Sequence, residues 1–535
     1  MYKYPPLLGI RFLEFSGSSP SKGKLSVSSN LRLSTPSSRL KIQMKPSEAI
    51  MNALTLALAT GLAATAAAAA AAETVHGALV FSRHGDRTTK HFGSQVLTPL
   101  GATQAHQVGS DYRARYLAAD SPHRIKGISE FQYVPAQVYA SAPDQSILLD
   151  TATSFLQGFY PPLGELKADL TTSESRLANG SSVEGPVNGY QYVQLHGVDV
   201  ESPETIWIKG DDECPALIDS SAAFQSSNEF ASRLNATRDF YRSLWPLVSD
   251  MYPSVEYLTY AKAYDIFDVI NVARIHNASS PARKVTDAQL FQLRTLADSA
   301  EFGLNYNASE PARSLHASTL AGAIVAHLRK TVESAAHTPK FTYLSGSYDT
   351  FLAFFGIFGL TDASSDFFGL PEYASTMAFE LFTPEATDKL DEDSLRVRFL
   401  FRNGTAGALT QFPLFGKGKA DLSWTEFMSG MLARGVTSTQ GWCNECGSEA
   451  AFCAQYKWED NVVNGVYVPA NDSVKKGSWI GVLVVMCVAI VGNLVWAAMW
   501  LIGARRQRAE KKRLAAMPAM AKTAASMSSF GKESV

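Results

Sequence analysis

The chain has 535 residues, of which 46% are hydrophobic and 18% are charged, and its formal net charge is -2. This length and hydrophobic content allow one or two sizeable cores and argue against a mainly disordered protein. Because positive charge is not in excess, nucleic acid is not expected as a partner.

The N-terminal region carries a secretory-type signal in an unusual position. The apolar run from Ala49 to Ala72 ends in small residues, as the hydrophobic part and cleavage site of such a signal do. Residues 1–43 precede it and are rich in Ser, Lys and Arg. We treat 1–43 as a leader or a mispredicted start and 44–72 as a signal-like segment. A start at an internal methionine, a transit peptide and a signal anchor are the alternatives.

From residue 73 onward, strand-like and helix-like patterns alternate. The short apolar run from His76 to Ser82 is typical of a buried strand. Thr98 and Pro99 predict the start of a helix, because Thr can cap it and Pro suits its first position. A second strand is predicted over Ala136 to Ala142, followed by a helix through ILLDTATSFLQGF. Ligands of such an α/β core bind at the carboxyl ends of its strands.

The middle of the chain, residues 161–330, shows mostly helical patterns and predicts a helical insertion. Sheet-like sequence resumes at KFTYLSGSYDTFLAFFGIFGL, ASTMAFELF and SLRVRFLFRN. The predicted fold class is therefore α/β, with a mostly parallel sheet flanked by helices and built from residues 73–160 and 331–455. Residues 456–476 are predicted to be a linker.

Residues 477–504 predict one C-terminal transmembrane helix. The run has no charged residue and exceeds the about 20 residues needed to cross a bilayer. Trp479 and Trp500 lie near its ends, as interfacial aromatic residues do, and a basic tail, 505–535, follows it. The positive-inside rule then predicts a single-pass type I protein with a luminal or extracellular body, anchored in the lipid bilayer, and a cytosolic tail.

Glycosylation sequons of the form Asn-x-Ser/Thr support an extracytoplasmic body, because all of them lie between the two apolar runs. They are Asn179, Asn235, Asn277, Asn307, Asn403 and Asn471.

Four cysteines in the same segment predict two disulfides, with three pairings possible. They are Cys214, Cys443, Cys446 and Cys453. Three closely spaced thiols without a nearby histidine make a poor zinc site, so neither a metal nor another cofactor is predicted.

The stretch VFSRHGDRTTK follows the first predicted strand and concentrates groups that suit phosphate chemistry. Arg83 and Arg87 suit phosphoryl binding, because a guanidinium group stays charged and donates paired hydrogen bonds. His84 can act as a nucleophile if its neutral nitrogen faces phosphorus, and Gly85 permits close backbone approach. On residue types alone, a solvated charged turn is the alternative.

The same stretch resembles the RHGxRxP signature of the histidine phosphatase superfamily, in particular its acid phosphatase and phytase branch. Similarities continue through LQGFYPP, SGSYDT and PEYASTMAFELF, and they extend from about Val75 to Cys453. The resemblance implies a phosphoglycerate mutase-like core and a two-step hydrolysis of phosphomonoesters. In that reaction His84 forms a phosphohistidine, Arg83 and Arg87 bind the phosphoryl group, and Asp349 protonates the leaving group.

Three positions depart from the family pattern, and Thr89 in place of the signature proline is the smallest of these departures. Ser146 stands where the family has a third arginine, and Tyr348 stands where it has a second histidine. Tyr348 can offer the phosphate a neutral hydrogen bond but no positive charge near neutral pH. Arg113, Arg115 or a cation from the insertion are candidates to compensate.

Two functions follow from this divergent pocket. The first is a membrane-anchored acid phosphatase that hydrolyses phosphomonoesters through His84. The second is a catalytically weakened or inactive relative that binds a phosphate ligand or acts at the cell surface, since each lost donor typically costs about 10²- to 10³-fold in rate.

Overall fold

A computed structural model describes residues 73–166, 175–385, 387, 390–416, 418–456, 462–463 and 466–467. The predicted leader, signal-like segment, transmembrane span and basic tail lie outside these residues, as do most of the linker and Asn471. Within the described ranges, none of the helices has both the length and the hydrophobicity of a membrane span.

An eight-stranded sheet lies at the centre of the fold. Its strands are β1 Thr74–Arg83, β2 Val138–Pro143, β3 His196–Val198, β4 Phe341–Gly346, β5 Thr376–Thr383, β6 Arg396–Arg402, β7 Thr410–Phe412 and β8 Asp421–Ser423. The order is β3-β2-β4-β1-β5-β6-β7, and β8 also pairs with β6. A separate ladder joins β9 Val462–Val463 and β10 Val466–Tyr467.

The described helices differ widely in length. They are α1 Pro99–Tyr116, α2 Ser146–Phe159, α3 Leu163–Leu166, α4 Pro186–Gly189, α5 Ile206–Lys209, α6 Pro215–Gln225, α7 Asn228–Ala236, α8 Arg238–Ser243, α9 Trp245–Val248, α10 Ala263–His276, α11 Asp287–Asn305, α12 Leu315–Glu333, α13 Tyr348–Ile357, α14 Trp424–Leu432 and α15 Thr439–Cys446.

The two strands and the helix start predicted for the first part of the core are confirmed in position. β1 covers the first predicted run, β2 begins two residues later than the second predicted run and ends at Pro143, and α1 begins at Pro99. The Thr98 hydroxyl caps α1 by accepting the backbone N–H of Gly101 at 3.1 Å. Local chemistry was enough here because each element carries its own start signal.

The prediction of a mostly parallel sheet is wrong, because the sheet is mixed. The pairs β1–β4, β4–β2 and β2–β3 are parallel, whereas β1–β5, β5–β6, β6–β7 and β6–β8 are antiparallel. Parallel neighbours need a long crossover, usually a helix. Helices follow β1 and β2 in the chain, but β6 is the next described element after β5, and these two strands pair as a hairpin.

The sheet-like interpretation of KFTYLSGSYDTFLAFFGIFGL is right for β4 but wrong for the residues after it, which form α13. Phe351, Leu352, Phe354 and Phe355 of this helix are all buried. A helix that is hydrophobic on every side shows no helical period in its sequence, so the run reads like a buried strand.

Helices cover both faces of the sheet. Because side chains of a strand alternate between the two faces, neighbouring residues of β1 point into different cores. Leu79 and Phe81 of β1 point into a core shared with α12, α13 and α14. Ala78 and Val80 point into a second core shared with α1 and α2. The sheet is thus the middle layer of three.

A third hydrophobic cluster lies among helices α6 to α11 and includes Phe224, Tyr241, Ile270 and Leu293. Other elements of the range 161–330 belong to the layered core: β3 extends the sheet, and Ile208 of α5 and residues of α12 pack into the core on one of its faces. The predicted boundaries of the helical insertion stay a prediction.

The glycosylation sequons also stay a prediction. Asn179, Asn235, Asn277 and Asn403 are exposed, and Asn307 is half-buried.

Two disulfides use the four cysteines that follow the signal-like segment and precede the predicted membrane span. Cys214 is bonded to Cys446 and Cys443 is bonded to Cys453. The first bond ties α6 to α15, where Trp442 is buried and donates its indole N–H to the Gly210 carbonyl at 2.9 Å. Because both pairs are oxidised, none of these thiols is left as a metal ligand.

Non-reducing peptide mapping should recover these two pairs. Replacing Cys214 and Cys446 by Ser should lower the free energy of unfolding more than replacing Cys443 and Cys453, because the first pair spans 232 residues and the second spans 10. Loop-closure entropy gives losses of roughly 5 and roughly 3 kcal/mol, which urea unfolding would measure. Equal losses would contradict this ranking.

Candidate active site

The RHGDR and SYD motifs meet at the carboxyl ends of two neighbouring central strands of the sheet. β1 and β4 are parallel neighbours, and Arg83 pairs with Gly346 at their carboxyl ends. His84 therefore leaves β1 beside the point where Tyr348 and Asp349 begin α13. Ligands of α/β sheets bind at such strand ends.

His84 is buried and held in one orientation. Its Nδ1 lies 2.9 Å from the Gly85 carbonyl oxygen, which can only accept a hydrogen bond. Nδ1 therefore carries the proton, and Nε2 keeps its lone pair in the neutral ring. Burial, with the positive charges of Arg83 and Arg87, holds the pKa of His84 well below its usual value.

The loop that carries His84 rests directly on the first turn of α1. An added Cβ at Gly85 would lie 2.3 Å from the carbonyl oxygen of Gly101, and one at Gly101 would lie 2.1 Å from that of Asp86. Real Cβ atoms do not approach oxygen so closely. Both glycines are therefore needed for this contact.

Arg83 is buried between aromatic rings. Its guanidinium carbon lies 5.1 Å from the ring centroid of Tyr348 and 4.6 Å from that of Tyr373. It donates to the Pro371 carbonyl and reaches the Tyr264 hydroxyl at 3.5 Å. Its Nε has no hydrogen-bond partner among the described residues.

Arg87 is fully buried and forms an ion pair with Asp268 of α10 at 3.1 Å. It also donates to the Tyr264 hydroxyl at 3.0 Å. The Asp268 carboxylate further accepts the Thr89 hydroxyl at 2.8 Å and the backbone N–H of Lys90 at 2.9 Å. One carboxylate thus holds the loop from Arg87 to Lys90 in place.

Tyr348 and Asp349 have separate surroundings. The Tyr348 hydroxyl donates to Oε2 of Glu301 at 2.9 Å, whereas Oδ1 of Asp349 accepts the backbone N–H of Thr350 at 2.9 Å. Burial alone would raise the pKa of Asp349. The charges of three nearby basic groups outweigh it, so this pKa lies below the usual aspartate value. The groups are Lys209, His316 and Lys90.

Arg113 and Arg115, the two candidates for an additional phosphate-binding cation, are engaged elsewhere in the structure. Arg113 donates to the Phe159 carbonyl at 3.2 Å, and Arg115 pairs with the buried Glu380 of β5 at 2.5 Å. Ser146 is the first residue of α2 and adds no charge. The suggestion that either of these two arginines compensates is therefore wrong.

Lysines bring the additional positive charge instead. Lys90 is exposed as a whole, yet its ammonium nitrogen lies 4.9 Å from the Tyr348 ring centroid and 5.4 Å from that of Tyr264. Lys209, which lies in the predicted insertion, is 8% exposed and pairs with Asp211 at 2.8 Å. Both lysines act electrostatically on Asp349.

Sequence reasoning missed several of these groups. Asp268, Glu301 and His316 come from helices distant in sequence, and no local signal marked them. His316 is fully buried, and neither of its ring nitrogens has a partner among the described residues. Lys90 lies inside the RHGDRTTK stretch, where its position three residues after Arg87 was a usable signal.

Comparisons with known proteins give a family match over more than half of the chain. Residues 89–402 match the family described as the histidine phosphatase superfamily (branch 2). No curated protein matched the sequence closely enough to count as a relative.

Solved structures similar to this chain include three from bacteria. The phytase of Citrobacter braakii is 14% identical, with a TM-score of 0.45 over 70% of this chain and 99% of its own. The Klebsiella sp ASR1 phytase is 11% identical, with a TM-score of 0.46 over 69% and 96%. The Bifidobacterium longum multiple inositol polyphosphate phosphatase, solved with inositol hexasulfate, is 12% identical, with a TM-score of 0.42 over 67% and 92%.

Replacing Asp268 by Ala should lower the free energy of unfolding by roughly 3 to 5 kcal/mol, because it leaves the buried Arg87 charge unpaired. Urea unfolding of the full-length protein would measure this loss. Asp287→Ala is a matched control, since that carboxylate is 95% exposed and its pair with Arg274 is a surface one. Similar small losses in both variants would contradict the importance given to Asp268.

Proposed function

Because the chain belongs to the histidine phosphatase superfamily (branch 2), we propose that it hydrolyses phosphomonoesters through a phosphohistidine on His84. The observation that carries the proposal is the protonation state and tautomer of the His84 ring. Its hydrogen bond to the Gly85 carbonyl leaves Nε2 as the free lone pair, and its lowered pKa keeps the ring neutral. A neutral imidazole is the form that attacks phosphorus.

The reaction proceeds in two displacements. In the first, Nε2 of His84 attacks phosphorus, the P–N bond forms and the bond to the leaving oxygen breaks. The Asp349 carboxyl gives its proton to that oxygen. In the second, water attacks phosphorus, the P–N bond breaks and Asp349 takes the proton back. His84 is thereby regenerated and inorganic phosphate is released.

The basic groups stabilise the negative charge on the phosphoryl oxygens. Arg83 and Arg87 flank His84 in the loop, and Lys90 adds a third positive charge near Tyr348. Guanidinium groups held in place by protein contacts stabilise developing charge without reorganising. Because the pKa of Asp349 lies below the usual aspartate value, the protonated form that donates to the leaving group becomes more abundant only as the pH falls, so turnover through it should be favoured at acidic pH.

A second candidate function is binding of a phosphate ligand without turnover. The partners of the two arginines favour it: Arg87 already pairs with Asp268, and Arg83 donates to the Pro371 carbonyl. With Ser146 in place of an arginine, fewer free donors face a transferring phosphoryl group.

Hydrolysis of an aryl phosphate by the full-length protein distinguishes the two functions. We expect His84→Ala to lower the rate by at least about 10³-fold, because the nucleophile is lost. His106→Ala, an exposed histidine on α1, should leave the rate unchanged. Wild-type rates should persist as the pH falls from about 6.5 to about 5, since the pKa of His84 lies well below its ordinary value.

Absence of turnover together with phosphate binding would favour the binding protein. A rate that survives His84→Ala would overturn the covalent route through His84.

We further propose that the protein is a single-pass type I membrane protein with this site outside the cytosol. The uncharged run 477–504, the basic residues after it and the sequons before it support this topology. Membrane-bound protein should resist carbonate extraction, and added protease should remove the tail 505–535 only from the cytosolic side. Release by carbonate would contradict the anchor.

A further inference from the structure

The Tyr348 hydroxyl is hydrogen-bonded to a carboxylate rather than left free to face a ligand. By the family resemblance, this position faces the phosphoryl group. Yet the Tyr348 hydroxyl donates to Oε2 of Glu301, 2.9 Å away on α11. A phenol has one O–H, so this bond withdraws the only donor that Tyr348 could give to a phosphoryl oxygen.

The protonation state of Glu301 decides where that O–H points. An ionised carboxylate only accepts hydrogen bonds, so it keeps the Tyr348 hydroxyl directed at itself. A protonated carboxyl has its own O–H, which can donate to the Tyr348 oxygen. The phenolic O–H is then released to turn toward a ligand.

The surroundings of Glu301 bring its titration into the physiological range. Burial raises the pKa of Glu301 to about 7, although the hydrogen bond from Tyr348 lowers it. Charged and titratable groups from other elements also act on it. They are Lys90 of the loop, Asp349 of α13, Arg83 of β1 and Tyr260, which precedes α10.

We infer that Glu301 is a positioning residue, which makes the Tyr348 hydroxyl available to a tetrahedral oxyanion only while Glu301 is protonated. The inference rests on the proposed function, because it takes the oxyanion to be the phosphoryl group held by Arg83 and Arg87. Protonation of Glu301 also removes one of the negative charges that act on Lys90. Above its pKa, Glu301 both withdraws the hydroxyl and repels the anion.

Sulfate is the probe for this arrangement, because it is tetrahedral, is not turned over and keeps the same charge across the range tested. Its dissociation constant for the full-length protein would be measured by calorimetry at about pH 6 and about pH 8, on either side of the pKa of Glu301. We expect it to rise by up to about tenfold, because the protonated fraction of Glu301 falls about tenfold between these two pH values.

Three variants separate Glu301 from other titrating groups. Glu301→Gln imitates the protonated carboxyl, so the dissociation constant should change by less than about threefold between the two pH values. Tyr348→Phe should bind sulfate at the lower pH about as weakly as the wild type does at the higher pH. Asp287→Asn removes an exposed carboxylate from the same helix and should keep the wild-type pH dependence.

The inference is overturned if Glu301→Gln keeps the wild-type pH dependence, or if Tyr348→Phe binds sulfate normally at the lower pH. Aryl phosphate turnover, measured on the same proteins, separates this result from the proposed function. The expected sulfate behaviour without turnover would sink the phosphatase and leave the role of Glu301 standing. Turnover that needs His84, with sulfate binding indifferent to pH, would sink the role of Glu301 alone.

Discussion

The parallel pairing of β1 with β4 in the middle of the sheet is the constraint on which the candidate site depends. Their register sets Arg83 beside Gly346, so the two strands end together. The loop with His84 and the first turn of α13 then share one edge, although more than 250 residues separate them in the chain. Helices on both faces bury the pair, which keeps this edge in a fixed place.

At these strand ends, the charged residues contributed by other elements determine the surroundings of the motif residues. Asp268 neutralises the buried Arg87 and orders the loop up to Lys90. Glu301 takes the hydroxyl of Tyr348, while lysines and His316 surround Asp349. The site thus receives positive charge from Lys90 and Lys209, which lie outside the RHGDR and SYD motifs. The same low-dielectric surroundings shift the pKa values that would govern activity.

The elements and site residues that could be predicted from the sequence are those marked by signals within a few neighbouring residues. Thr98 and Pro99 marked the start of α1, because capping is decided within one helical turn. α13 was missed because its buried phenylalanines lie on all sides, which removes the helical period. The antiparallel half of the sheet was missed because hydrophobic runs do not encode strand direction. Of the site, the groups inside the RHGDR and SYD motifs were found, and those contributed by distant helices were not.

The sequence by itself determined the chemical character of the candidate site, since RHGDR, Tyr348 and Asp349 all belong to short segments. Only the tertiary structure decided the partners: Asp268 for Arg87, Glu301 for Tyr348, and the pairing of four cysteines. The physical reason is that hydrogen bonds, ion pairs and desolvation depend on distances of a few ångströms. Chain folding sets those distances between residues that no local pattern connects.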